Sequence, residues 1–185
     1  MITKFKLFES DKPDIFDIVQ KDDSIELQKY LENGGDPNIR TDNNMFSLLD
    51  WIVIHNSYNC ARELLEYGVD IDVCAFIDAI LEKKTIMIEI LYDAVNINDV
   101  CEKTHITPLL AATYIKSESL IKRMIDDGAE WIYKAPKNIF IIKKDEDFLD
   151  VLKRNSFSIY QNIIEKYPEK YEKYLKEKRI RQFNI

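Results

Sequence analysis

The chain has 185 residues, 46% of them hydrophobic and 32% charged, with only four glycines and five prolines. This balance argues against a loop-rich or all-β chain and suits one domain with a sizeable core. The formal net charge of −7 disfavours nucleic-acid binding, which needs a basic face.

That charge is uneven. From Lys170 onward six Lys/Arg stand against two Glu, so the tail carries +4 and residues 1–169 carry −11. No stretch approaches the ~18 apolar residues of a membrane span, and MITKFKLFESDKP lacks the apolar core of a signal peptide. Cys60, Cys74 and Cys101 are odd in number and lack CxxC spacing. They read as three reduced, packing cysteines, and a reducing cytoplasm is the expected compartment.

Residues 1–13 read as a polar lead-in. From Asp14 to Arg40 two short helices are predicted, with Ile15, Ile18 and Val19 on one face and Leu27, Tyr30 and Leu31 on the next, closed by LENGGDPN. From Asp42 to Asp72 a second pair follows. Ser47, Leu48, Leu49 and Asp50 open it, Ile52 and Val53 continue it, and Leu64, Leu65, Gly68, Asp70 and Ile71 end it. The third pair, Val73 to Asn98, is irregular. Its first helix begins almost at once, with Phe76, Ala79 and Ile80, and the residues for a projecting turn are missing.

The fourth pair, from Val100, contains the most regular stretch, Ile106 to Glu130. Thr107 can cap a helix through its hydroxyl, and Pro108 at the first helical position lacks only an N–H that would be unpaired anyway. Ala111 and Ala112 allow close approach of a neighbour. Leu120, Ile121, Met124 and Ile125 form a second apolar stripe, and Gly128 can supply the left-handed residue that stops it. A unit this small cannot bury its own apolar face and needs copies beside it.

These strings resemble ankyrin repeats. Leu31 to Asn38 is similar to the family's Leu-Glu-x-Gly-Ala-Asp-x-Asn, and Thr107-Pro108-Leu109 with Ala112 and Gly128-Ala129 to its repeat opening and ending. The 34 residues from Gly34 to Gly68 lie close to the ~33-residue ankyrin period. Ser47, Leu48 and Asp50 depart from the family's Thr, Pro and His. The resemblance covers residues 14–131 and implies an all-α solenoid of about four to five helix pairs. Residues 132–185 read as a degenerate repeat and a helical C-terminal cap. There Pro136 stands at the base of a finger and Ile139 to Ile142 pair with Phe148 to Leu152. Ser156 to Tyr167 and Glu169 to about Arg181 form two further helices.

No chemistry stands out. His55 and His105 read as surface or turn residues rather than general bases or ligands. The pairs Asp22/Asp23, Asp70/Asp72 and Asp126/Asp127 lack calcium-loop spacing, and GxxxxGK[ST] and GxGxxG do not occur. No cofactor or metal is expected, and the tail reads as a solvated helix with pairs such as Glu172–Lys176. What the resemblance implies is a partner-binding concave face. The family's contact positions fall on Asn43, Asn44, Phe46, Ile54 and His55 in the second repeat, and on Leu81 and Glu82 in the third. In the fourth they fall on Lys103, Thr104, Ile106, Tyr114 and Ile115. The expected function is a non-enzymatic protein–protein interaction module, monomeric when free, whose acidic body suits a basic partner. Immunity protein, host-directed effector and viral host-range factor are all compatible. The alternative is an enzyme or regulator with its site in the C-terminal segment.

Overall fold

The computed structural model describes residues 14–131 and 147–183. The lead-in, Pro136 and the 139–142 stretch lie outside the described residues. Every regular element among the described residues is helical: α1 Ile15–Gln20, α2 Ser24–Glu32, α3 Leu48–His55, α4 Tyr58–Glu66, α5 Val73–Leu81, α6 Thr85–Leu91, α7 Pro108–Tyr114, α8 Glu118–Asp126, α9 Phe148–Asn155, α10 Phe157–Lys166 and α11 Pro168–Phe183. One antiparallel bridge, Arg40 with Ser47, stands outside them. Among the described residues no helix is long and apolar enough to cross a membrane.

The chain divides into two compact units. The first holds the described residues up to Ala79 together with Lys84–Val95, and the second Ile80–Lys83 with those from Asn96 on. In the first, α1 packs on α3, α2 on α4 and α4 on α6; in the second, α7 packs on α8 and α9, and α10 on α9 and α11. Helices this short are marginal alone, since isolated helices below ~12–15 residues barely form in water. Burial holds them. Leu120, Ile121, Met124 and Ile125 of α8 are all buried, each such side chain contributing about 1.5–3 kcal/mol on leaving water.

Left-handed residues punctuate the chain between and after the helices. Asp22, Asn56, Lys83 and Lys116, with φ of 57°, 60°, 58° and 61°, each turn one helix into its partner. Gly34, Gly68 and Gly128, with φ of 83°, 70° and 94°, end the second helix of their pairs. The step from Asn56 to Lys83 is shorter than that from Asp22 to Asn56, because α5 starts at Val73 with no room for a projecting turn after Asp72.

Some of the helix ends are satisfied by neighbouring pairs. The Ser57 side chain gives α4 no cap. Asp22, from the α1–α2 turn, accepts instead from the backbone N–H groups of Asn59 and Cys60, both at 2.9 Å, and from Asn59 Nδ2 at 2.9 Å. Lys84 Nζ donates to the terminal carbonyls of α3, Val53 at 2.6 Å and Ile54 at 3.1 Å. Asn155 Nδ2 donates in the same way to Thr113 of α7, at 3.4 Å. Two asparagines hold the segments that follow α4 and α8. Asn38 Oδ1 accepts from Asp70 N at 2.8 Å, and Asn98 Oδ1 from Glu130 N at 2.7 Å, with Asn98 Nδ2 donating to Gly128 O at 3.4 Å.

Cys60 is free and buried, and burial, reinforced by the Asp22 carboxylate, pushes its thiol up to about 12. It is no nucleophile at neutral pH. The expectation of three reduced cysteines is corrected for Cys74 and Cys101, each of which is disulfide-bonded. Sequence spacing carries no signal for this.

At Gly128 an added Cβ would meet nothing within 4 Å, so the cost of a side chain there is conformational. Gly128→Val is expected to lose about 1–3 kcal/mol through strain at positive φ, and Asn98→Ala about 1 kcal/mol through its hydrogen bonds. Urea denaturation reads both. Wild-type stability in both variants would show that these positions do not hold the end of α8.

Candidate functional site

In the first unit the site is a short antiparallel finger ahead of α3. Thr41 N donates to Phe46 O at 2.9 Å and Leu48 N to Ile39 O at 2.9 Å. Asn44, at φ 56°, makes the turn. Asn43 Oδ1 accepts from Met45 N at 3.0 Å and from Thr41 Oγ1 at 2.7 Å. The Arg40 guanidinium donates to Asn44 O at 3.3 Å and Met45 O at 3.4 Å. This network fixes the tip, where Asn43, Asn44 and Met45 are exposed.

The finger leads into a capping box. Asp50 N donates to Ser47 Oγ at 3.1 Å and Ser47 N to Asp50 Oδ2 at 2.8 Å. That reciprocal pair explains why an Asp suits position 50. Phe46 precedes the cap and meets Trp51, four residues into the helix, at 6.0 Å between ring centroids. The pair has the spacing of a hydrophobic staple. Trp51 also meets Phe16 of α1 edge-on at 5.7 Å and His55 at 5.0 Å. All four rings are half-buried. Ile54 beside them is 43% exposed and Met45 59%. Trp51 Nε1 is shielded from solvent and finds no acceptor among the described residues. Sequence reasoning passed over Trp51 and Phe16. The i,i+4 spacing of Trp51 to His55 and the staple spacing to Phe46 were the signals that could have found the tryptophan.

In the second unit the equivalent finger repeats the same bond, Cys101 N to Ile106 O at 3.0 Å, with His105 at φ 56° in the turn. Lys103 is exposed and Thr104 half-buried. Ile106 is corrected as a contact residue, because it is fully buried and has no surface to offer. It stands at the staple position before Thr107, where its opposite number is Ala111 rather than a tryptophan, and an aliphatic residue facing alanine sinks into the core. Tyr114, at the end of α7, is 46% exposed, and Ile115 is half-buried. Leu81 is half-buried and Glu82 exposed. The first unit therefore gathers Asn43, Asn44, Phe46, Ile54 and His55 around one finger. The second separately presents Lys103, Thr104, Tyr114, Ile115, Leu81 and Glu82. Among the described residues no group of three or more His, Cys, Asp or Glu is placed to hold a metal ion.

The C-terminal helices form a second concavity. Asp147 and Asp150 make a capping box on α9, each accepting from the other's N–H at 3.1 Å. Lys178 of α11 closes on it, 2.6 Å from Asp150 Oδ2 and 3.2 Å from Asp147 Oδ2. The Tyr174 hydroxyl donates to Asp147 Oδ2. Tyr160 and Tyr171 share a hydroxyl–hydroxyl bond of 2.9 Å. This joint, rather than pairs along the exposed tail such as Glu172–Lys176, is what docks α11. Trp131 adds to it in the same unit, with the Lys170 ammonium 4.8 Å above its ring. Burial, the largest single effect, works against the Asp150 charge, but the bonds and charge of Lys178 and the bonds of Asp147 together outweigh it and hold the carboxyl below the ordinary 3.8. For Lys178 burial is likewise outweighed, by the bonds and charges of Asp150 and Asp147 together, and its ammonium is held above 10.5. Burial and then the bond to Tyr171 push the Tyr160 hydroxyl up from 10.0 to about 12.

No protein-family profile matches the sequence, and no curated protein matches it in sequence comparison. A chain in the solved structure of the Bdellovibrio bacteriovorus predatory endopeptidase Bd0816 in complex with immunity protein Bd3460 is similar in fold. The TM-score is 0.60 at 19% identity, covering 83% of this chain and 79% of that one. At that identity the likeness concerns fold alone.

The signs of these shifts define a pH response. Asp150, with its folded value depressed, contributes stability above the ordinary carboxyl range and loses it as pH falls through the folded value. Tyr160 and Lys178, with folded values raised, contribute below 10.0 and 10.5 and lose it as pH rises, Tyr160 between 10.0 and about 12. Far-UV circular dichroism against pH is expected to show an alkaline loss of helix in that window. The loss should be smaller in Tyr160→Phe, and the acid limb weaker in Asp150→Asn. An unchanged profile in both variants would remove the joint from the account of α11 docking.

Proposed function

We propose that the chain is an ankyrin-repeat protein that holds a partner protein and carries no enzymatic activity of its own. The observation that carries this reading is the rigid finger of the first unit with its exposed tip beside half-exposed Phe46, Trp51, Phe16 and His55. A prebuilt finger costs little ordering entropy on binding, and aromatic groups with apolar neighbours are the commonest anchors of protein interfaces. The repeated glycines and the Asn38 and Asn98 stitches support the repeat assignment.

Charge gives the partner a character. The first unit, with the lead-in counted, has eight Lys/Arg against eighteen Asp/Glu, a net −10, and the second eighteen against fifteen, a net +3. A basic partner surface would be steered to the first unit, raising the association rate at low salt. Among immunity protein, host-directed effector and host-range factor, the fold shared with a chain of an endopeptidase–immunity protein complex favours the first. In that role the chain would neutralise a toxic enzyme by covering it.

The test begins by capturing the partner from the native source with the tagged full-length chain and purifying it. Phe46→Ala and Ile54→Ala in the first unit, and Tyr114→Ala in the second, are each expected to weaken the purified pair by about 1–3 kcal/mol, the hot-spot range. Ile86→Ala, on α6 and 50% exposed, should change it by less than about 0.5 kcal/mol. Melting temperatures on the same samples separate lost binding from lost folding. Folded Phe46 and Ile54 variants with wild-type affinity would reject the finger as the site. A captured enzyme that stays active in the complex would reject the immunity role alone.

A further inference from the structure

The concavity bounded by α9, α10 and α11 has a volume of about 310 Å³ and is lined by Leu149, Lys153, Tyr160, Tyr171, Leu175 and Arg179, with Asp150, Tyr174 and Lys178 at its floor. We propose that this cleft binds a small organic oxyanion, a carboxylate or phosphate ester with a flat body. Its charged group would lie between Lys153 and Arg179 and its body against the apolar wall of Leu149 and Leu175. The inference is independent of the finger surface of the first unit.

The argument is an inventory of which polar groups are already spent. Asp150 and Asp147 accept from Lys178, and Asp147 also from Tyr174. The two carboxylates of the region are thus satisfied inside the joint and offer no strong acceptor to a ligand. The Tyr160 and Tyr171 hydroxyls have two protons and one mutual bond, so one O–H donor is left over. Burial keeps Tyr160 protonated to about 12, and that donor therefore persists at neutral pH. Lys153 and Arg179 are exposed, and among the described residues neither is held in an ion pair. What remains available is two cations and a hydroxyl proton, all donors, matched by a ligand group that only accepts.

The rings exclude the opposite reading. A cage of tyrosines beside a carboxylate would suit a cationic ligand. Here the protein's own cations already stand over two of the three rings, Lys153 Nζ at 5.6 Å from the Tyr160 centroid and Lys178 Nζ at 5.6 Å from that of Tyr174. Leu149 and Leu175 give the cleft apolar wall, and its volume lies at the small end of ligand pockets, roughly 300–1,000 Å³. A bare inorganic ion would leave that wall unused.

Phenyl phosphate, benzoate and benzyl alcohol, titrated into the full-length protein and followed by backbone amide shifts, test this. Saturable binding that maps to α9–α11 is expected for phenyl phosphate or benzoate, and which of the two saturates assigns the phosphate or carboxylate class. Lys153→Ala and Arg179→Ala, both exposed and checked for fold by circular dichroism, should each raise the Kd roughly tenfold, as loss of a charge-assisted bond does. Tyr160→Phe should raise it roughly threefold, the loss of a neutral bond. Equal binding of benzyl alcohol, no saturable binding by either anion, or wild-type affinity in both the Lys153 and Arg179 variants would overturn the proposal.

Discussion

Everything in this structure depends on helices too short to stand alone. A helix of six to ten residues leaves nearly as many backbone groups unpaired at its ends as it pairs within, so the ends decide whether it exists. The chain answers by having one pair cap another. Asp22 closes the N-terminus of α4 from the turn of the preceding pair, and Lys84 and Asn155 close the C-termini of α3 and α7 from the turns of following pairs. Asp22, Asn56, Lys83 and Lys116 each make a left-handed turn between two helices although their side chains share no chemistry. Backbone geometry is the conserved quantity within this one chain, and side chains vary around it.

The finger inherits its rigidity from the same constraint. Its two strands are only long enough for single bonds, and on their own they would fray. Thr41, Asn43 and Arg40 hold it with side-chain bonds to the backbone of the turn, and the Ser47–Asp50 box anchors its return strand to α3. A surface built this way can present Asn43, Asn44 and Met45 without ordering them at the moment of contact. The Phe46–Trp51 staple then places large apolar area directly under the tip. Where the second unit puts Ile106 and Ala111 at the same two positions, the apolar residue is swallowed and no such platform forms. One pair of residues thus separates a presenting finger from a packing one.

The positions legible in the sequence were those where geometry restricts chemistry. Gly34, Gly68 and Gly128 mark helix ends because positive φ favours glycine, and Thr107-Pro108 marks a helix start because the cap and the missing N–H both fit there. The start of α5 at Val73 could be read from residues too few for a turn. The illegible parts are those where several residue types serve equally. Asp22, Lys83 and Lys116 adopt left-handed turns without glycine, so no pattern announced them. The exposure of the contact positions depended on their opposite numbers, which is why Phe46 and Ile106 looked alike and are not. The aromatic cluster needed Phe16, which lies 30 residues from Phe46 and meets Trp51 only once α1 and α3 pack.

The C-terminal segment shows the same principle in another form. Its Lys, Asp, Glu and Tyr had no recognisable spacing, and its one long helix, α11, is charged and mostly exposed on its outer side. The fold gives it order through a second capping box, Asp147–Asp150, built like that of Ser47 and Asp50 but used twice. The carboxylates that close the N-terminus of α9 also receive Lys178, and so join a helix start to a helix side. A carboxylate at a helix N-terminus is already favoured by the helix dipole and by the N–H groups it accepts, which lowers the cost of keeping it charged when partly buried. The incoming lysine then meets a charge that is held in place before it arrives. That sequence of dependence explains why a helix with so little apolar face of its own docks at all. Apolar Leu175 and the Tyr171 and Tyr174 rings supply area, but the position of α11 along α9 is set by where the box fixes its two carboxylates.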